Sequence, residues 1–357
     1  MPNAALIPTP DAIPVAWGWF YVLLMLTFLL HLLVMNAMLG GGIIALLSSL
    51  RQKDKGLLID REFSYKWPYT IAFAVNLGVA PLLFIQVLYG HFIYTSSILM
   101  AAWWLSIIAL LILAYYSAYI YDFRFDSLGG TRTVFAGFSV LALLFIAFMF
   151  SNNMTLMLQP ERWSAYFNNA GGTLLNLSDP TLIPRYLHFV IGAIAVAGLY
   201  LALIGRFNML KSKVDPEVLQ EKGMSYFTMA TSVQVVLGLW FLIALPKEVM
   251  LLFMGRSAWG TILLVLGLTL AGVVLYLGHK RQVVKTSITV LLLMLVMVLM
   301  RDLVRTGYLA PYFSLSELRV TPEYSPMIFF LVVFALGLAL VGYMLKLALD
   351  SGKEVKE

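Results

Sequence analysis

The chain has 357 residues, 61% of them hydrophobic and 12% charged, with a formal net charge of +6 and a mean hydropathy of +0.89. That composition excludes an ordinary soluble domain and reads as an integral membrane protein. The absence of cysteine among its residues excludes thiolate metal sites, iron–sulfur clusters and covalently attached c-type haem.

About 20 apolar residues cross the roughly 30 Å hydrocarbon layer. By that measure nine spans are expected, at about 17–50, 67–95, 99–121, 133–155, 182–206, 223–245, 258–279, 286–306 and 325–348. The opening MPNAALIPTPDAIP has no basic n-region, so no cleavable leader is expected. With no repeat or low-complexity stretch, residues 1–357 read as a single polytopic membrane domain of all-α class. Pro81 is the chief candidate for a helix break in the second span, a feature that a transporter would use.

Nine spans put the termini on opposite sides. With the N-terminus outside, only Arg162, Arg185, Lys247, Arg256, Arg301, Arg305 and Arg319 fall on the outer side. The remaining Lys and Arg, including Arg51, Lys53, Lys211, Lys213 and Lys356, fall inside. The positive-inside rule therefore predicts an N-out, C-in bundle, with loops of substance at about 156–181 and 307–324 on the outer side. The positive charge is topology and not a nucleic-acid signal.

Depth follows from a rise of 1.5 Å per residue. Counting from the basic inner ends places His31, His91 and His188 near the outer boundary, while His279 lies on the inner side beside Lys280 and Arg281. Asn152, Asn153, Arg301, Asp302 and Arg305 share the outer level. Ionisable groups at membrane depth are costly and point to function, and neutral imidazoles on apolar helices are what b-type haem requires. Each has a structural alternative. His91 and His188 are near helix ends, where a side chain snorkels to the interface, and His31 is able to hydrogen-bond a neighbouring helix. Asp302 has Arg305 three residues on, in position for a local ion pair. Most of the 18 methionines are packing residues, leaving Met154, Met157, Met250 and Met254 at outer helix ends as those to test. Gly40, Gly41 and Gly42 allow close approach of a flat cofactor or, the commoner reason, of another helix.

Around these residues the chain resembles subunit I of the cytochrome bd-type quinol oxidases, which has nine spans with the N-terminus outside. The similarity runs through HLLVMNAMLGGG from His31, Asn76-Leu77-Gly78-Val79-Ala80 and Tyr89-Gly90, SNNMTLMLQPERW from Ser151 to Trp163, and Tyr186-Leu187-His188. A weaker match sets Asp302 three residues before Arg305, where the family has a glutamate and an arginine near a high-spin haem; the likeness fades beyond span five. The resemblance implies two b haems, with His31 and His188 as iron ligands. Departures are as informative. Span three has no acid before Asp122, and WGTILLVLG from Trp259 lacks the family's ligating methionine and its arginine. The large quinol-binding loop after span six shrinks to a short segment around PKEVMLLFMGR. His91 has no family counterpart, and one expectation is that it replaces the missing methionine as an axial ligand.

The resulting expectation is a haem b membrane subunit of a quinol-linked respiratory complex. It would carry electrons between a quinone and a periplasmic-side partner, such as a multihaem c-type cytochrome, alongside a second membrane subunit. The bilayer would be a bacterial or archaeal cytoplasmic membrane. Arg301 and Arg305 would pair with haem propionates, Asp302 would serve as ligand or proton acceptor, and Trp163 and Tyr166 would offer aromatic surface to the quinol. The alternatives are a bd-type oxidase reducing oxygen, which the missing acids disfavour, and a non-redox transporter or scaffold, in which polar groups gather nearer the midplane.

Overall fold

The computed structural model describes residues 5–50, 54–209 and 215–354. Of the cations that orient the chain, Arg51, Lys53, Lys211, Lys213 and Lys356 lie outside the described residues. The elements are α1 (Trp17–Leu50), α2 (Asp54–Leu99), α3 (Ala101–Phe123), α4 (Arg132–Met157), α5 (Leu182–Arg206), α6 (Pro216–Ala244), α7 (Lys247–Leu251), α8 (Ala258–His279), α9 (Val283–Leu309) and α10 (Tyr324–Glu354). Among the described residues nine of these, all but α7, are long and apolar enough to cross a membrane. The protein is thus all-α and multi-pass.

Helices outrun the apolar spans. α2 starts at Asp54 instead of about 67, and α6 at Pro216 instead of about 223. Hydropathy marks the stretch that suits lipid, whereas the backbone ladder continues until a cap or breaker ends it. At α6 that signal is Asp215, whose carboxylate accepts from the Glu217 amide, followed by Pro216 in the first turn. Ser257 likewise caps α8 by accepting from the Gly260 amide. The expected break at Pro81 is absent. α2 runs through both Pro68 and Pro81 and leaves helical geometry at Tyr89 instead (φ −134°, ψ 31°).

Two groups of helices meet along α1 and α5. α1–α4 pack around Met38, Trp67, Ala114, Tyr121 and Val140. α5, α6, α8 and α9 pack around Leu199, Ala202, Met224, Phe227, Val274 and Val290. Small residues set the closest approaches, as expected where lipid removes the hydrophobic drive. A Cβ added at Gly223 would come within 2.5 Å of the Ala202 amide nitrogen, and one at Gly198 within 2.8 Å of the Gly223 carbonyl oxygen. On α1, Gly40 lies against the Ala193 backbone of α5, and a Cβ on Gly42 would meet Trp67 at 2.6 Å. The glycine run therefore serves helix packing. α10 stands apart, with none of its apolar window buried.

At the end of the bundle where α1 begins, the connecting segments fold over the helices. Residues 160–168 form a 3-10 helix in the 156–181 loop. The N-terminal segment joins the loop after α9, with Ile13 N donating to Arg319 O and Thr321 N donating to Ile13 O, both at 2.9 Å. Short sequence-distant pairings of this kind carry no periodic signal.

Candidate functional site

A cavity of about 290 Å3 lies between α1, α5, α6, α8 and α9, running from Arg185 and Arg301 near this end toward Phe227, Val274 and Val290. Its walls are almost entirely apolar, with Gly192, Gly238 and Gly267 among them. The polar exceptions are Asn36, Arg185, His188, Thr231, Gln234 and Arg301. An apolar chamber with a few convergent polar groups is the usual form of a cofactor or ligand site.

His188 is the one predicted histidine that lines it. Being the seventh residue of α5, it sits about one turn below Arg185. Its Nδ1 is buried without a hydrogen-bond partner. The facing wall is α6, where a Cβ on Gly238 would lie 3.5 Å from His188 Cε1. Gln234, one turn earlier on α6, donates from Nε2 to the His188 carbonyl at 2.7 Å. The second wall holds Met294, Met297 and Met300 of α9.

His31 takes a different position. Its ring lies against α2, where a Cβ on Gly78 would meet Cε1 at 2.9 Å, and its Nδ1 is 3.0 Å from the Ala74 carbonyl oxygen. A carbonyl only accepts, so the neutral ring carries its proton on Nδ1 and keeps the Nε2 lone pair free, the tautomer of a metal ligand. His31 does not line the cavity. Neither does His91, whose ring packs between Phe92 (4.3 Å) and Phe313 (4.5 Å), with Nε2 buried and unpartnered. The structure thus separates the three imidazoles that depth alone grouped together.

The acidic and basic residues form a compact layer above the cavity. Asp302 accepts from Tyr21 Oη at 2.8 Å and from Arg305 Nη2 at 2.6 Å, a buried ion pair. Arg305 also sits 4.9 Å over the Tyr89 ring. Arg301 stacks 4.2 Å over Phe28, and Arg185 lies 5.1 Å over Phe241. Among the described residues Arg185 and Arg301 form no ion pair. Arg185 is 8% exposed, and its Nε and Nη2 find no hydrogen-bond partner. A desolvated cation–π contact contributes about 2 kcal/mol, less than the several kcal/mol it costs to bury a charge. A void of about 10 Å3 lies between Arg185, Arg301, Arg305, Met154 and Met157.

Two expected features move. Trp163, expected to offer a quinol its surface, is buried at 2% exposure, and its Nε1 donates to the Leu156 carbonyl at 2.9 Å. Its hydrophobic ring completes the core beneath the loop, beside Phe92. Of the methionines set aside for testing, Met154 and Met157 reach the arginine layer, while Met250 packs near Val249 and Phe253 and Met254 is 51% exposed. Tyr166 is partly exposed. At the surface of the same loop Tyr312 donates to Glu161 Oε2 at 3.3 Å, and partial burial, with that carboxylate adding to it, raises the phenol pKa.

Residues that sequence reasoning missed are Asn36, Gln234 and the α9 methionines, and Arg185 was noted there only as an outer-side cation. Spacing offered one signal for them: Met294, Met297 and Met300 recur every three residues along a single helix face. The described residues hold no cluster of three or more His, Cys, Asp or Glu able to bind a bare metal ion. The chain matches no protein-family model and no curated protein.

Proposed function

We propose that the chain is the haem b subunit of a quinol-linked respiratory complex. It carries electrons between a quinone and an outer-side redox partner such as a c-type cytochrome, with the N-terminus outside a bacterial or archaeal cytoplasmic membrane. One observation carries this reading: His188, its ring free of hydrogen bonds, faces an apolar intramembrane cavity bordered by unpaired arginines. An imidazole for iron, flat glycine-containing walls and cations for carboxylates are the features that a non-covalent haem needs. Bound there, haem would supply one-electron chemistry.

The chain's own residues supply the rest. His188 would hold the iron of a haem in this cavity, and the Met294, Met297 and Met300 thioethers on the α9 wall line the same chamber. His31, with its Nδ1 engaged by Ala74, would hold the iron of a second haem. His91 belongs to an aromatic packing cluster in this reading. Asp302 holds Tyr21 and Arg305 in place, and so anchors α9 to α1 beside the cavity.

The test is a pyridine haemochrome assay on protein purified from membranes. Wild type is expected to contain haem b, and His188→Ala to lose it from this cavity. Haem-free wild type would overturn the redox reading in favour of a transporter or scaffold. Cyanide-sensitive oxygen uptake with quinol would replace the dehydrogenase reading with the oxidase one.

A further inference from the structure

We propose that Arg185 and Arg301 together form a buried receptor for carboxylate groups at the head of the cavity. This rests on the haem reading for the source of the carboxylates, the propionates of the macrocycle, and on geometry alone for the receptor.

Both guanidiniums, one from α5 and one from α9, line the main cavity and also the small void above it. Arg185 is more than nine-tenths buried, and two of its nitrogens lack partners. The carboxylates within electrostatic reach are already engaged. Asp179 accepts from Gln159 Nε2 and from the Thr181 amide, each at 2.6 Å, and Asp302 is held by Tyr21 and Arg305. Two cations thus converge on one space with no anion between them. A low-dielectric site of this kind is stable when an anion completes it. Guanidinium forks match carboxylate oxygens in charge, planarity and donor spacing. The geometry also changes the expected pair: Arg305, whose partner is Asp302, gives way to Arg185. His188 lies one turn from Arg185 on α5, so a single helix presents both the iron ligand and one half of the carboxylate clamp.

Two arms test this. In the first, haem-depleted protein is loaded with iron protoporphyrin IX or with its dimethyl ester, in which both carboxylates are masked. Wild type is expected to bind the free acid about tenfold or more tightly than the ester, as for loss of one charge-assisted contact. The Arg185→Gln/Arg301→Gln variant is expected to bind the two forms alike. Equal binding by wild type, or full discrimination by the variant, overturns the propionate assignment. Phosphatidylglycerol that co-purifies with wild type and not with the variant, without ester discrimination, overturns it in favour of a lipid headgroup.

The second arm needs no haem. In the depleted protein Arg185→Gln removes an unpaired buried charge and is expected to raise the melting temperature, whereas in the loaded protein it lowers it. A depleted variant that melts below depleted wild type overturns the receptor itself. Wild type that binds neither porphyrin refutes the haem reading, and the melting comparison still decides the receptor.

Discussion

Removing the Asp302 carboxylate separates a structural role from a chemical one. Asp302→Ala takes the acceptor from Arg305 Nη2 and from Tyr21 Oη, at 2.6 and 2.8 Å, and leaves Arg305, 6% exposed, with the Tyr89 ring as its remaining contact. Breaking a buried ion pair from one side costs about 3–5 kcal/mol, because the surviving charge is stranded. Tyr21→Phe removes one hydrogen bond to a charged acceptor, about 1.5–3 kcal/mol, and leaves the pair intact. Replacing both charges, Asp302→Leu with Arg305→Leu, is expected to cost less than Asp302→Ala alone, since nothing charged stays behind. Unfolding of wild type, Asp302→Leu, Arg305→Leu and the double variant in mixed micelles, followed by helical circular dichroism, gives the four free energies of the cycle. A double variant as unstable as the sum of its singles, or an Asp302→Ala protein within about 0.5 kcal/mol of wild type as for an ordinary surface change, would refute the buried pair. Loss of haem absorbance in Asp302→Ala at unchanged stability would return the carboxylate to a role beside the cofactor.

Three further outcomes follow from the same geometry, their haem readouts resting on the proposed function. His91→Phe fills an aromatic cluster and deletes an unpartnered buried nitrogen, so stability is expected to hold or rise by about 1–3 kcal/mol with the haem spectrum unchanged; disappearance of a low-spin haem band would make His91 a ligand after all. Gly223→Leu forces α6 off the Ala202 backbone of α5, and overpacking of about 1–3 kcal/mol should appear in thermal unfolding together with reduced haem content; unchanged melting would deny the close seam. Gly78→Val places methyl groups against the His31 ring and should perturb the optical spectrum of one haem while leaving the other, at His188, unaltered; a uniform loss of both would contradict two separate sites.

How much was legible in the sequence divides along one physical line. Composition and apolar run length decide how many helices suit a bilayer, and all nine expected spans correspond to long helices here. Rise per residue gives a level and no more: Arg185, His188 and Arg301 line one cavity, while His31 and His91, counted to the same level, do not. Azimuth is another matter. Whether His31 turns toward α2 or toward the cavity depends on which helices flank α1, and α1 is apolar on every face, so its sequence holds no amphipathic stripe to orient it. The ion pair at Asp302 was readable because three residues on a helix suffice to specify it. The engagement of the Asp179 carboxylate by Gln159 and Thr181 and the burial of Trp163 were not, because both depend on how the 156–181 loop folds back over the helix ends.

The layer of arginines shows why position within a membrane protein cannot be equated with role. Arg301, Arg305 and Arg185 share a level and a void, and a count of depth treats them alike. Their neighbours do not. Arg305 has a carboxylate at 2.6 Å and so forms a neutral unit that can be removed whole at modest cost. Arg185 and Arg301 have aromatic rings and a void, so each retains an uncompensated charge pointing at the same space. Stability alone would favour replacing such cations by apolar residues. Their presence in an otherwise apolar chamber is what the proposed carboxylate receptor accounts for, and by the same reasoning a paired arginine at the same depth requires no ligand.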